Sequence, residues 1–123
     1  MFRIFCLLFL SAILLFSCKK SSSPPTTNKT TLCFQTDILP LYQNHCALSG
    51  CHDATTARLG VELDSYANIM KGIVPYHPDS SHYYTIVELG AMPPPSSGKP
   101  SMTPGQIDTV AMWINQGATN CTN

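Results

Sequence analysis

Two thiols and one imidazole stand close together in residues 44–52. Four residues separate Cys46 from Cys51, and His52 follows Cys51 directly. In an exported protein, two cysteines followed at once by histidine are typical of a covalent haem site, where the thiols add to the haem vinyl groups and the imidazole lies under the iron. The usual motif has two residues between the cysteines, so this spacing departs from it. The segment nevertheless predicts a haem site.

The same residues allow three other interpretations. Cys46 and Cys51 could form a local disulfide, because an exported chain meets an oxidising compartment. They could bind zinc with His52 and a fourth ligand, although the sequence offers no second close Cys/His pair to complete a tetrahedral site. They could also be two unrelated buried thiols.

The N-terminal residues indicate export and lipidation. Arg3 precedes an apolar run over residues 4–16, and this run is shorter than the roughly 20 residues of a membrane-spanning helix. Residues 15–18 match a lipobox, which predicts a lipoprotein signal peptide over residues 1–17 and a lipidated Cys18. We expect an exported protein anchored by its lipid to a bacterial membrane and facing the periplasm.

The mature chain divides into a tether and one domain. Residues 18–31 are rich in Lys, Ser, Pro, Thr and Asn, which predicts a flexible tether that begins at the lipidated cysteine. Residues 32–123 form a domain so short that a disulfide or a cofactor often completes the core. With the other cysteines assigned, Cys33 and Cys121 remain at the two ends of the domain, and export favours a disulfide between them.

The charge of the domain limits its partners. From residue 32 onward the chain has three basic and seven acidic side chains, a formal net charge of −4. Such a surface does not neutralise phosphates, which argues against a nucleic-acid partner. It would suit a basic protein partner, but charge alone does not identify one.

A first helix should lead into the cysteine segment. Thr36 or Asp37 can cap it, and Pro40 is compatible with its first turn. Its inner face follows helical spacing and consists of Ile38, Leu41, Tyr42 and His45. This interpretation makes His45 part of the helix rather than an iron ligand.

Two short helices and a stiff segment follow. The second helix should cover residues 66–71, and Asp79 or Ser80 should cap the third, whose inner face is Tyr83, Ile86 and Val87. Met92 comes next and is followed by the three prolines 93–95. A segment of this kind is extended and stiff, so it can hold the Met92 thioether at a fixed reach. The commoner fate of a methionine is to fill a gap in the core.

The closing helix has the clearest signals. Thr103 caps it, Pro104 occupies the first position and Gln106 completes a capping box. Its apolar stripe contains Ile107, Val110, Ala111 and Ile114. Met102 should form a hydrophobic staple before the cap, and Trp113 lies off the main stripe. The whole pattern predicts an all-α domain without strands.

Together these residues resemble the class-I-like c-type cytochromes. The likeness is closest to small lipoprotein cytochromes that carry Leu-Pro-x-(Tyr/Phe)-x-x-x-Cys-x-x-x-x-Cys-His and a later Met-Pro-Pro. Here the first motif spans residues 39–52, the second residues 92–94, and the closing helix residues 103–116. The resemblance covers the chain from Cys33 to Cys121. It implies a small cytochrome c-like fold, with three to four short helices and long loops around one covalent haem c, and an N-terminal helix packed across a C-terminal one.

The resemblance also implies roles for individual residues. Cys46 and Cys51 would be the thioether anchors, His52 the proximal ligand and Met92 the distal ligand, with His77 and His82 as rival distal ligands. The implied function is one-electron transfer by a membrane-anchored carrier that is not an enzyme, since peroxidase activity would need an open distal position.

A haem-free lipoprotein is the alternative function. In that case the domain would be a binding or structural module with two disulfides, one joining Cys46 to Cys51 and the other joining Cys33 to Cys121.

Overall fold

A computed structural model describes residues 31–121 of the chain. This part is all-helical, as the sequence predicts, and contains no strand. Its four α-helices are α1 (Leu39–His45), α2 (Tyr66–Ile69), α3 (His82–Glu88) and α4 (Pro104–Asn115). None of its helices has the length and apolar character that a bilayer span requires. The predicted signal peptide, the lipidated Cys18 and all but the last residue of the tether lie outside the described residues.

Helical structure begins one turn earlier than expected. A π-helical turn, Phe34–Ile38, precedes α1, and Pro40 lies in the first turn of α1, where its missing N–H had no partner. The prediction that Thr36 or Asp37 caps α1 is wrong. The Asp37 carboxylate instead accepts a hydrogen bond from the backbone N–H of Cys33 at 2.6 Å, at the start of the π-helical turn.

The second helix is capped by Ser65, whose hydroxyl accepts from the backbone N–H of Asn68 at 3.4 Å. α2 ends at Ile69, and a 3-10 turn, Met70–Gly72, continues it. The expected helix over 66–71 is therefore present with a tighter last turn.

The cap of α3 also differs from the prediction. Asp79 and Ser80 belong to a separate 3-10 turn, Pro78–Ser80, and the N-cap is Ser81. The Ser81 hydroxyl is fully buried. It accepts from the backbone N–H of Val74 at 2.9 Å and donates to the carbonyl of His77 at 2.9 Å. Because these hydrogen bonds of the hydroxyl go to the preceding loop, it makes no capping bond to the backbone of α3.

The core is built around α4. The predicted capping box is present: Thr103 Oγ1 accepts from the Gln106 N–H, and Gln106 Oε1 accepts from the Thr103 N–H at 2.7 Å. Trp113 is fully buried, with its ring centroid 5.6 Å from that of Phe34. It is buried although it lies off the predicted stripe, because α3 and the π-helical turn Phe34–Ile38 both pack against α4 and widen the buried face.

The ends of the domain are joined covalently. The structure contains the Cys33–Cys121 disulfide, with the two Cα atoms 5.3 Å apart. The backbone N–H of Leu32 also donates to Gln116 Oε1 at 2.9 Å, beside the end of α4. The disulfide joins two cysteines that are 88 positions apart in the sequence. By the chain-entropy estimate, a loop of this length stabilises the fold by about 4–5 kcal/mol.

Candidate haem attachment site

The cysteine segment begins where α1 ends. The carbonyl of Tyr42 accepts from the backbone N–H groups of Cys46 and Ala47, both at 2.8 Å, so the last turn of α1 fixes Cys46. The backbone N–H of His52 then donates to the Cys46 carbonyl at 3.2 Å, which closes the segment into a loop. Cys46 and His52, the two ends of the cysteine segment, are therefore held against each other by main-chain geometry.

Both thiols in this loop are free. Cys46 is buried and Cys51 is half-buried, and neither is joined to another cysteine. Burial raises the pKa of the Cys46 thiol to about 12, and repulsion from the neighbouring Cys51 adds to the shift. Cys46 therefore stays protonated at neutral pH.

The imidazole of His52 has a defined orientation. Its Nδ1 lies 3.0 Å from the carbonyl oxygen of Val61, and the backbone carbonyl of His52 accepts from the N–H of Leu63 at 2.9 Å. Because a carbonyl oxygen can only accept, Nδ1 must carry the proton, which leaves the lone pair on Nε2. Metal-binding histidines commonly donate their second N–H in this way, since it fixes the ring and raises its basicity.

A return loop over residues 53–61 supplies that carbonyl. The backbone N–H of Arg58 donates to the Cys51 carbonyl at 2.9 Å, which ties this loop to the cysteine segment. Ala57, Leu59 and Gly60 all have positive φ angles, of 40°, 58° and 77°, and these turn the chain back toward His52. At the start of the loop, a hydrogen bond from Thr56 lowers the pKa of the Asp53 carboxyl.

Val61 is the residue that sequence reasoning missed. It acts through its backbone carbonyl, which every residue type has, so its identity carried no signal. The only signal in the sequence was the glycine at position 60, because glycine readily adopts the left-handed conformation that this turn has.

Met92 lies beside the core and is held by α3. The carbonyl of Ile86 accepts from the backbone N–H groups of Ala91 and Met92, at 2.9 and 3.0 Å. The Met92 side chain is half-buried and packs against the buried cluster that contains Cys46. The structure thus brings Met92 and Cys46 to one core. The rival ligands His77 and His82 are exposed, and His45 Nδ1 donates to the Pro100 carbonyl at 2.9 Å.

The ligand atoms of these residues can be compared with those that a covalent haem and a structural zinc ion each require. A covalent haem needs two reduced thiols, an imidazole with a free nitrogen and one further soft ligand. Cys46, Cys51, His52 and Met92 supply these donors. A structural zinc site needs four ligands in one place. Within residues 31–121, no three His, Cys, Asp or Glu side chains are grouped to hold a metal ion.

No protein-family model matches the sequence, and comparison with curated proteins and with solved structures gives no match either. Any function assigned to the chain therefore depends on its own residues.

Proposed function

We propose that the protein is a membrane-anchored c-type cytochrome that carries one covalent haem c and transfers single electrons. The observation that carries this proposal is the hydrogen bond from His52 Nδ1 to the Val61 carbonyl at 3.0 Å, beside two free thiols. When bound, the haem would supply a one-electron iron couple.

Three residues of the cysteine loop would hold the cofactor. The Cys46 and Cys51 thiols would each form a thioether by adding S–H across a vinyl group, and His52 would offer Nε2 to the iron. The Val61 carbonyl would keep the imidazole in one tautomer and increase its basicity. The free state of both thiols suits this addition, because the reaction consumes a thiol rather than a disulfide.

Met92, which packs against the same buried cluster as Cys46, would complete the set. A thioether favours the reduced metal and raises its potential relative to a second imidazole. Core side chains packed against the group would exclude water, which would also favour the less charged state. With His52 and Met92 both holding the group, no place would be left for a substrate, so the protein would be a carrier and not an enzyme.

We propose in addition that the helices form a small cytochrome c-like fold. A small cytochrome c-like fold would place α4 at the centre, with the N-terminal segment packed across it. The contacts of α4 with the Phe34–Ile38 turn and with α3 support such an arrangement. The Cys33–Cys121 disulfide would stabilise it whether or not haem is attached.

The proposed location follows from the sequence. A lipid on Cys18 would keep the carrier at a bacterial membrane, exported and facing the periplasm. The domain charge of −4 would favour a basic redox protein as partner and disfavour nucleic acid.

Expression with and without a haem-attachment system tests the proposal. We expect a band that stains for haem on a denaturing gel, a reduced-minus-oxidised difference spectrum, and loss of both when Cys46 and Cys51 are replaced with alanine. Protein of the mass expected for two disulfides and no haem would instead support the haem-free binding or structural module.

A further inference from the structure

We infer that the loop formed by residues 74–76 (the 74–76 loop) rests on the lipid surface to which the chain is anchored. The inference depends on the proposed lipidation of Cys18 and not on haem, so the two proposals can fail separately.

Tyr76 is exposed in a conformation that its side chain disfavours. Its φ angle is 67°, in the left-handed region that non-glycine residues rarely adopt, and 64% of its surface is exposed. Val74 is also exposed, and residues 72–78 contain no Asp, Glu, Lys or Arg. An uncharged segment that keeps most of an aromatic side chain exposed, in an unfavourable backbone conformation, calls for a function.

The end of α4 holds Tyr76 in place. The backbone N–H of Tyr76 donates to the Ile114 carbonyl at 2.8 Å. Its ring lies directly against Gly117, where an added Cβ would stand 2.7 Å from the Tyr76 hydroxyl oxygen. The loop is therefore a fixed feature of this corner of the domain.

The chain enters the domain at the same corner. Leu32 donates its backbone N–H to the side chain of Gln116 at 2.9 Å, one residue before Gly117. The anchor precedes this point by residues 19–31 only, and 13 residues span at most about 45 Å when fully extended. The domain itself has a radius of gyration of about 12 Å by size scaling. The tether joins the domain at this corner, so the corner reaches the bilayer without any extension of the tether.

A lipid surface suits the chemistry of the 74–76 loop. Tyrosine is favoured at membrane interfaces because its ring is apolar and its hydroxyl can stay hydrated. The net charge of −4 favours zwitterionic over anionic headgroups. Two other exposed apolar side chains, Leu59 (90% exposed) and Leu89 (80%), lie in the return loop and at the end of α3. They provide comparison sites within the same molecule.

Photo-crosslinking of the full lipidated protein tests the inference. The protein is placed in phosphatidylcholine vesicles that contain a phosphatidylcholine with a diazirine near its headgroup, and adducts are mapped by mass spectrometry. We expect several-fold more adduct on the peptide with Val74 and Tyr76 than on peptides with Leu59 or Leu89. Equal labelling of the three peptides, or labelling concentrated on Leu59 or Leu89, overturns the inference.

A variant separates lipid contact from folding. Tyr76→Asn keeps a residue that tolerates positive φ, so the loop should fold while its aromatic contact is lost. We expect this variant to lose most of the adduct on the 74–76 loop, and the matched variant Leu89→Asn to keep it. Unchanged labelling in Tyr76→Asn contradicts the inference. A chain without acyl groups on Cys18 also overturns it, while the haem mass and spectrum of the same sample still report on electron transfer.

Discussion

The side chain of His52 and the main chain of Val61 are joined by a hydrogen bond of 3.0 Å from Nδ1 to the carbonyl oxygen. This bond sets the tautomer of the imidazole, because only a protonated Nδ1 can donate to a carbonyl. It also makes the orientation of His52 depend on the return loop, where Ala57, Leu59 and Gly60 have positive φ. The proposed ligand is therefore positioned by backbone geometry nine residues away in the chain.

The conformation of Gly60 should matter for both stability and the His52 ring. Its φ of 77° disfavours any side chain, although a Cβ there would meet no atom within 4 Å. We expect Gly60→Ala to lower the free energy of unfolding by about 1–2 kcal/mol, entirely through the backbone. Urea unfolding measures the loss, and nitrogen NMR of His52 should show a less defined tautomer.

Gly105 provides the matched control for this change. It lies in the first turn of α4, and an added Cβ would also meet nothing within 4 Å, but its φ is not positive. Gly105→Ala should leave stability unchanged or raise it by up to about 1 kcal/mol. Equal losses from both substitutions would show that the left-handed turn is not the cause.

Met92 and Met102 allow a second matched comparison, in the haem-loaded protein. Met92→Leu removes the thioether but keeps the volume, so the midpoint potential should fall and the iron should bind added imidazole or azide. Met102 is buried beside the α4 cap, and Met102→Leu should cost less than about 1.5 kcal/mol and leave the potential unchanged. Potentiometry measures the midpoint potentials of the two haem-loaded variants. An unchanged potential and ligand affinity in Met92→Leu would exclude Met92 as the distal ligand.

The Cys46 thiol should give the haem-free protein a distinctive alkaline response. Its pKa is 9.0 ordinarily and about 12 in the fold, so between these values the unfolded chain binds fewer protons than the folded one. Stability should therefore fall as pH rises through this window, by up to about 4 kcal/mol in total. Urea unfolding between pH 8 and 11 measures the slope.

Two samples should not lose stability as the pH rises from about 9. Cys46→Ala has no thiol to titrate, and in the haem-loaded protein the sulfur would be a thioether. Burial also raises the pKa values of Tyr42 and Tyr84, but from an ordinary value of 10.0, so their destabilising effect begins at higher pH. The same loss from pH 9 in Cys46→Ala would contradict this assignment.

The Cys33–Cys121 disulfide should stabilise the domain independently of the site. Replacing both cysteines with serine should lower the free energy of unfolding by roughly 2–5 kcal/mol. Reduction of the wild-type protein should give a similar loss, with no further effect of reductant on the double variant. If the double variant unfolds at the wild-type urea concentration, the bond does not stabilise the fold.

Local signals in the sequence predicted most of the helices but not the contacts between them. The capping box of α4 involves residues three positions apart, so it could be read directly from Thr103 and Gln106. The burial of Trp113 depends on Phe34, 79 positions earlier, and periodicity within one helix could not reveal it. Ser81 occupies the N-cap position of α3, but its hydroxyl bonds to Val74 and His77 in the preceding loop, which no local pattern in the sequence reveals.

The proposed site shows the same division. Cys46, Cys51, His52 and Met92 were recognisable from residue type and spacing. The Val61 carbonyl was not, because a backbone group has no residue-type signature. The left-handed conformations of Ala57 and Leu59 were equally hidden, since neither residue type favours positive φ.

The central claim is that the Cys46–His52 loop holds a covalent haem, and peptide mass mapping of protein purified from its native host tests it most directly. We predict a peptide containing Cys46, Cys51 and His52 with the added mass of one haem, no thiol available for alkylation in that peptide, and Cys33 joined to Cys121. The same peptide with Cys46 and Cys51 joined by a disulfide, and no added haem mass, would contradict the account.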